Sequence, residues 1–148
     1  MTLPPLSAEA IVIAAEVEDW RAAVRVAGGA LVACGAALPG YSDEMIRMIE
    51  EHGPYVVIAP GLALAHARPG SSVLADALSI VTLATPISFG HPHNDPVRVV
   101  LGLAITSIEG HLESISDLAN VFNDASAIPA LAAAPDAASV IAIMDVHK

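Results

Sequence analysis

The sequence predicts one α/β layered domain over residues 1–148, and three observations predict it. Runs rich in Val, Ile and Leu at residues 55–59, 78–85 and 97–105 are too apolar for strands with one wet face, so they read as strands covered on both sides. Between and around them, apolar residues recur at spacings of three and four, the period of helices with one buried stripe. Finally, 148 residues that are 55% apolar suffice for one sizeable core, filled by Ala, Val, Leu and Ile because aromatics make up only 3%.

Along the chain, residues 11–14 read as a short strand or the start of a helix. Asp19 caps a helix running to Cys34, with Trp20, Val24, Ala27, Leu31 and Cys34 on its apolar stripe, and Gly35 and Pro39-Gly40 stop it. Ser42 is expected to cap a second helix whose Met45, Met48, Ile49 and His52 share a face and which Gly53-Pro54 ends. The strand at 55–59 then opens into a loop punctuated by Gly and Pro. The strand at 78–85 ends at Pro86, and the strand at 97–105 is entered from the turn Asn94-Asp95-Pro96. A helix at 111–122 should bury Leu112, Ile115, Leu118, Ala119 and Phe122, and short helices at 126–134 and 136–144 complete the chain.

The loop is the chemical signal. In Leu64-Ala65-His66-Ala67-Arg68-Pro69 it presents one imidazole and one guanidinium. Histidine keeps a nitrogen lone pair available near neutral pH, and guanidinium matches phosphoryl oxygens in a planar, two-pronged way. A phosphoryl-accepting histidine beside a fixed positive charge is the chemistry this pattern suits.

Composition excludes several alternatives. The net charge of -10 with only six Lys and Arg leaves no basic patch for nucleic acid, and the acidic excess serves solubility or steers a basic protein partner. No uncharged apolar stretch reaches the ~18 residues of a membrane span, and Met1-Thr2-Leu3-Pro4-Pro5 lacks the basic start of a signal peptide, so a cytoplasmic protein without membrane insertion is expected. The single Cys34 excludes an internal disulfide and sits on a helix stripe with no basic neighbour, as an inert core thiol would. His91-Pro92-His93 invites a metal reading, and with it a hydrolase. The turn residues around it and the lack of a carboxylate-rich ligand set argue the other way, so neither a metal nor a cofactor is expected. His52 and His147 receive no functional role.

Beyond the histidine loop, Asp19-Trp20-Arg21-Ala22-Ala23, Tyr41-Ser42-Asp43-Glu44-Met45-Ile46, Phe89-Gly90, Asn94-Asp95-Pro96-Val97 and His111-Leu112 followed by Leu118 stand in order across residues 19–122. Together these segments resemble the enzyme IIA components of the phosphoenolpyruvate-dependent sugar phosphotransferase system (PTS), in the mannitol/fructose class and its ascorbate-like branch. The resemblance implies a mixed β-sheet flanked by helices on both faces, with no cofactor. It implies a phosphohistidine enzyme that takes a phosphoryl group from the phosphocarrier protein HPr and passes it to a cognate EIIB. The membrane EIIC component then selects the sugar, ascorbate-like or a pentitol. His66 maps onto the phosphoryl acceptor and His111 onto the second active-site histidine, a donor to the phosphoryl oxygens; Arg68 is the charge-compensating third member. A homodimer is compatible with this picture.

Two positions depart from the family pattern. Ala65 stands where a proline usually precedes the active histidine, which loosens the loop. Arg47 is followed by Met48 where many fructose- and mannitol-type relatives place their arginine, an arrangement typical of the ascorbate-like branch. The alternative function is a regulatory module, like the nitrogen-type IIA proteins, whose phosphorylation state gates a partner without sugar transport.

Overall fold

In the computed structural model, which describes residues 3–147 apart from the side chains of Val146 and His147, a mixed β-sheet forms the middle layer. Met1, Thr2 and the side chain of His147 therefore lie outside the described residues. The strands are β1 (Ile11–Ala15), β2 (Val57–Ala59), β3 (Leu62–His66), β4 (Ala77–Ile87) and β5 (Val97–Ala104), in the spatial order β1-β4-β5-β3-β2. β1 with β4 and β3 with β5 are parallel, while β4 with β5 and β2 with β3 are antiparallel.

The side-chain alternation of the strands separates two cores. Ala63, Ala65, Val81, Val100 and Ala104 face α1 (Trp20–Ala33) and α2 (Tyr41–His52). Leu62, Leu64, Leu78, Ile80, Leu101 and Leu103 face α3 (Ile108–Val121), α4 (Ala127–Ala132) and α5 (Ala137–His147). Each such leucine, removed from water, contributes about 1.5–3 kcal/mol of transfer free energy. Small residues let α1 lie close on its face. A Cβ on Gly102 would come within 3.2 Å of the Ala27 carbonyl oxygen, which accepts a 2.9 Å hydrogen bond from Ser79 Oγ.

Several expectations hold, and the exceptions have physical reasons. Residues 11–15 are a strand rather than a helix start, and Asp19 caps α1 by accepting from the Ala22 N–H at 2.9 Å. Cys34 follows the last residue of α1, half-buried, with its thiol donating to the Leu31 carbonyl. Ser42 does not cap α2. The helix starts at Tyr41 behind Gly40, and Ser42 is buried in the first turn, where it packs against Gly28 of α1 so closely that a Cβ on the glycine has no room. Half of the expected loop at 60–69 is β3: Gly61, with φ 82°, turns the chain back on itself and β2 and β3 pair as a hairpin. β4 runs through Pro86 to Ile87. α3 begins at Ile108, where the Ser107 side chain accepts from the Gly110 N–H at 3.0 Å. Its buried side is Ser114, Leu118 and Val121, with Phe122 just beyond, whereas Leu112 and Ala119 are exposed; the expected stripe was turned too far round the helix.

Candidate functional site

β3 ends at His66, which pairs with Leu103 of β5, and its place in the alternation after Leu62 and Leu64 turns it toward the α3 face. Ser107 starts α3 so that His111 falls in the first turn. The two rings, distant in sequence, meet with centroids 5.3 Å apart and planes tilted by 53°. Tyr55, on the approach to β2, stands edge-on to His66 at 5.6 Å and 88°.

The tautomer of His66 follows from one contact. Nδ1 lies 2.8 Å from the Leu64 carbonyl oxygen, which can only accept, so Nδ1 carries the proton and Nε2 keeps its lone pair. Burial pushes the ring's pKa below the ordinary histidine value, and the Leu64 hydrogen bond opposes this less strongly. The neutral, nucleophilic form is therefore the one present at neutral pH. His111 is also held below its ordinary value, first by partial burial and then by the neighbouring His66 charge when both protonate.

An open cleft of about 650 Å³ surrounds the rings. Arg68 lines it with His66 and His111, so the three residues expected at the site border one cleft. The Arg68 charge reaches Tyr55, partly offsetting the rise that burial imposes on the phenol's pKa. Met48 and His52 of α2 close one side; Ile108, Leu112 and Ile115 of α3 close the other. Ile108 and Leu112 are 72% and 64% exposed, an apolar rim on the cleft that His66 also lines. Exposed Arg47 is not among the cleft residues, and Met48 stands there in its stead.

His91 and His93 join none of this. They sit in the loop before β5, where Asp95 accepts from the backbone N–H groups of Phe89, Gly90 and His91. His91 Nδ1 accepts from the N–H groups of His93 and Asn94 at 3.1 and 3.0 Å, which fixes the proton on Nε2 and leaves neither nitrogen free to ligate a metal. A second cleft, about 770 Å³, opens at the opposite end of β3, β5 and α3 and carries Arg98 and Asn94 but no histidine.

Sequence reasoning missed Tyr55, His52, Met48 and Ile108 as members of the site. The first reaches the cleft through the fold of the hairpin. The β2–β3 hairpin pairs Val57 with Ala63, and continuing that register places Tyr55 beside the residue before His66.

The family described as "Phosphoenolpyruvate-dependent sugar phosphotransferase system, EIIA 2" matches residues 5–146. The ascorbate-specific PTS system EIIA component of Escherichia coli K12 is 36% identical over 138 residues, covering 93% of this chain and 90% of that protein. Among solved structures, a PTS IIA (PtxA) from Streptococcus mutans superposes with a TM-score of 0.85 at 33% identity over 94% of this chain and 88% of its own. The mannitol IIA of E. coli, solved in complex with its phosphorylated IIB, gives a TM-score of 0.83 at 25% identity over 96% and 98%.

Proposed function

Because the chain belongs to the EIIA 2 family of the phosphoenolpyruvate-dependent sugar phosphotransferase system, we propose that His66 Nε2 is the atom through which it carries the phosphoryl group. As a member of that family the chain is a phosphotransferase that works through a phosphohistidine. The observation that carries the assignment to Nε2 is the 2.8 Å contact from His66 Nδ1 to the Leu64 carbonyl, which leaves a half-buried, neutral ring with its lone pair on the other nitrogen.

The donor is phospho-HPr. As the Nε2–P bond forms, the N–P bond of the donor's phosphohistidine breaks. The donor ring, protonated on its other nitrogen, takes back the N–P bonding pair and leaves as neutral imidazole, and His66 becomes a phosphoimidazolium whose Nδ1–H still donates to Leu64, so no proton has to leave the cleft. Such a transfer is governed by in-line positioning and by groups that meet the charge on the equatorial oxygens. His111, in the first turn of α3, donates to those oxygens, and Arg68 supplies the compensating charge. The reverse geometry hands the group to a cognate EIIB, and both partners seat on the apolar rim of Ile108 and Leu112.

EIIB in turn serves a membrane EIIC that selects the sugar. The ascorbate-specific relative favours ascorbate as that substrate. Among the described residues no helix is long and apolar enough to cross a membrane, and the step is assigned to the cytoplasm, where its donor works. One chain suffices for the transfer, so a homodimer is not required. No observation separately favours the regulatory alternative.

The test is to incubate the protein with phosphoenolpyruvate, enzyme I and HPr and to measure intact mass. A gain of one phosphoryl group, labile to acid, supports the reading, and no gain with an active relay overturns it.

A further inference from the structure

Tyr41 opens α2 and is 1% exposed, yet its hydroxyl reaches across the α1/α2 core to the end of the sheet where His66 stands. The hydroxyl oxygen lies 2.6 Å from the Leu103 carbonyl oxygen and 3.1 Å from the Ala67 nitrogen. A hydroxyl has one proton to give, and the shorter contact takes it. Tyr41 therefore donates to Leu103 and accepts from the Ala67 N–H.

Both partners adjoin His66, one across the sheet and one along the chain. Leu103 is the register partner of His66 on β5, and the β3–β5 ladder stops at that pair. Ala67 is the next residue, between His66 and Arg68, and it has left the sheet while remaining buried. Its N–H would otherwise be an unpaired buried donor. Burial of the phenol pushes its pKa up to about 12, so the proton stays on oxygen throughout the pH range in which the chain works.

We propose that Tyr41 is a positioning residue for phosphoryl transfer, its hydroxyl bridging Leu103 and Ala67 so that the acceptor ring and the Arg68 backbone leave the sheet in one fixed direction. This rests on the assignment of His66 as acceptor. It also answers the absence of proline before the active histidine: with Ala65 at that position, the fixing of the segment comes from a hydrogen-bonded bridge on the residue after His66 instead of from a locked φ before it.

The test compares wild type, Tyr41→Phe and His66→Ala in single-turnover transfer from phospho-HPr, each below its own Tm, with the label mapped to its residue. Tyr41→Phe keeps the ring's volume and removes the bridge. Misplacement of a reacting group by about 1 Å costs on the order of 100-fold, so transfer should slow by roughly 10- to 100-fold, with KM for phospho-HPr unchanged and the label still on His66. A purely structural tyrosine would lower Tm and leave the rate per folded molecule at the wild-type value, and that result overturns the proposal, as does a change confined to KM. If the variant does not fold, amide exchange in the wild type decides: an Ala67 N–H exchanging far more slowly than that of exposed Arg68 supports the bridge, and equal exchange overturns it. A wild-type label on any residue other than His66 refutes the acceptor assignment itself, an outcome distinct from an unaltered Tyr41→Phe rate.

Discussion

The pairs His66 with His111 and His91 with His93 hold the same side chains at similar ring separations, 5.3 and 6.2 Å, and the fold gives them opposite chemistry. His66 Nδ1 faces a carbonyl and must donate, which leaves Nε2 as a nucleophile in a cleft. His91 Nδ1 faces two backbone N–H groups and must accept, which consumes its lone pair in holding a turn together. Surroundings differ as well. The first pair is assembled from the end of a strand and the start of a helix and is buried enough to depress both pKa values, whereas the second belongs to one loop organised by Asp95. Histidines close in sequence are thus the weaker site, because what a ring can do is decided by the hydrogen bond on its other nitrogen.

The largest effect should come from His66→Ala, which removes the proposed acceptor and should abolish phosphorylation by phospho-HPr. An acid-labile mass gain in that variant breaks the contrast between the pairs. Next, His111→Ala leaves the proposed acceptor and deletes its proposed donor partner, so transfer should slow by about 10²- to 10³-fold with the label still on His66. A rate within a few-fold of wild type would reduce His111 to a neighbour. Arg68→Ala loses the proposed charged partner of the phosphoryl oxygens and should slow single-turnover transfer by roughly 10- to 100-fold; an unchanged rate would make Arg68 a solvated loop residue.

Acidity sharpens the same contrast. Because burial lowers the folded-state pKa of His66, the ring stays neutral below the ordinary value of 6.5, and the unfolded chain takes up its proton first. The contribution of this group to stability is therefore present above pH 6.5 and is lost as the pH falls through and below that value. An NMR titration should place the His66 midpoint below 6.5, and a midpoint at or above it contradicts the burial argument. The smallest effect belongs to His93→Ala: an exposed loop side chain far from the cleft should leave the transfer rate unchanged, and a marked loss would bring the second pair back into the mechanism.

Much of this was legible in the sequence, and the failures share a cause. Asp19, the apolar stripe of α1 and the Val-rich strands were readable because each depends on neighbours in the chain. Ser42 was misplaced because its burial against Gly28 is a contact between two helices, invisible to local capping rules. β3 was read as loop because Pro60-Gly61 and Pro69 frame it and its core, Leu62-Ala63-Leu64-Ala65, is short and alanine-rich. On α3 the periodicity was sound but its apolar residues are divided: Leu118 and Val121 fill the core, while Ile108 and Leu112 face outward on the cleft. His66, Arg68 and His111 were expected at one site from their motif context, and the fold brings all three to the same cleft. Tyr55 and His52 had no such context, since only the hairpin and the end of α2 bring them to the cleft.

The most direct measurement is phosphorus and nitrogen NMR of the ¹⁵N-labelled protein after phosphorylation through HPr, which distinguishes the two ring nitrogens and assigns the residue. The structure predicts a single phosphoryl group on Nε2 of residue 66, with Nδ1 still protonated toward Leu64. A phosphoryl group on Nδ1, or on His111, would contradict the account.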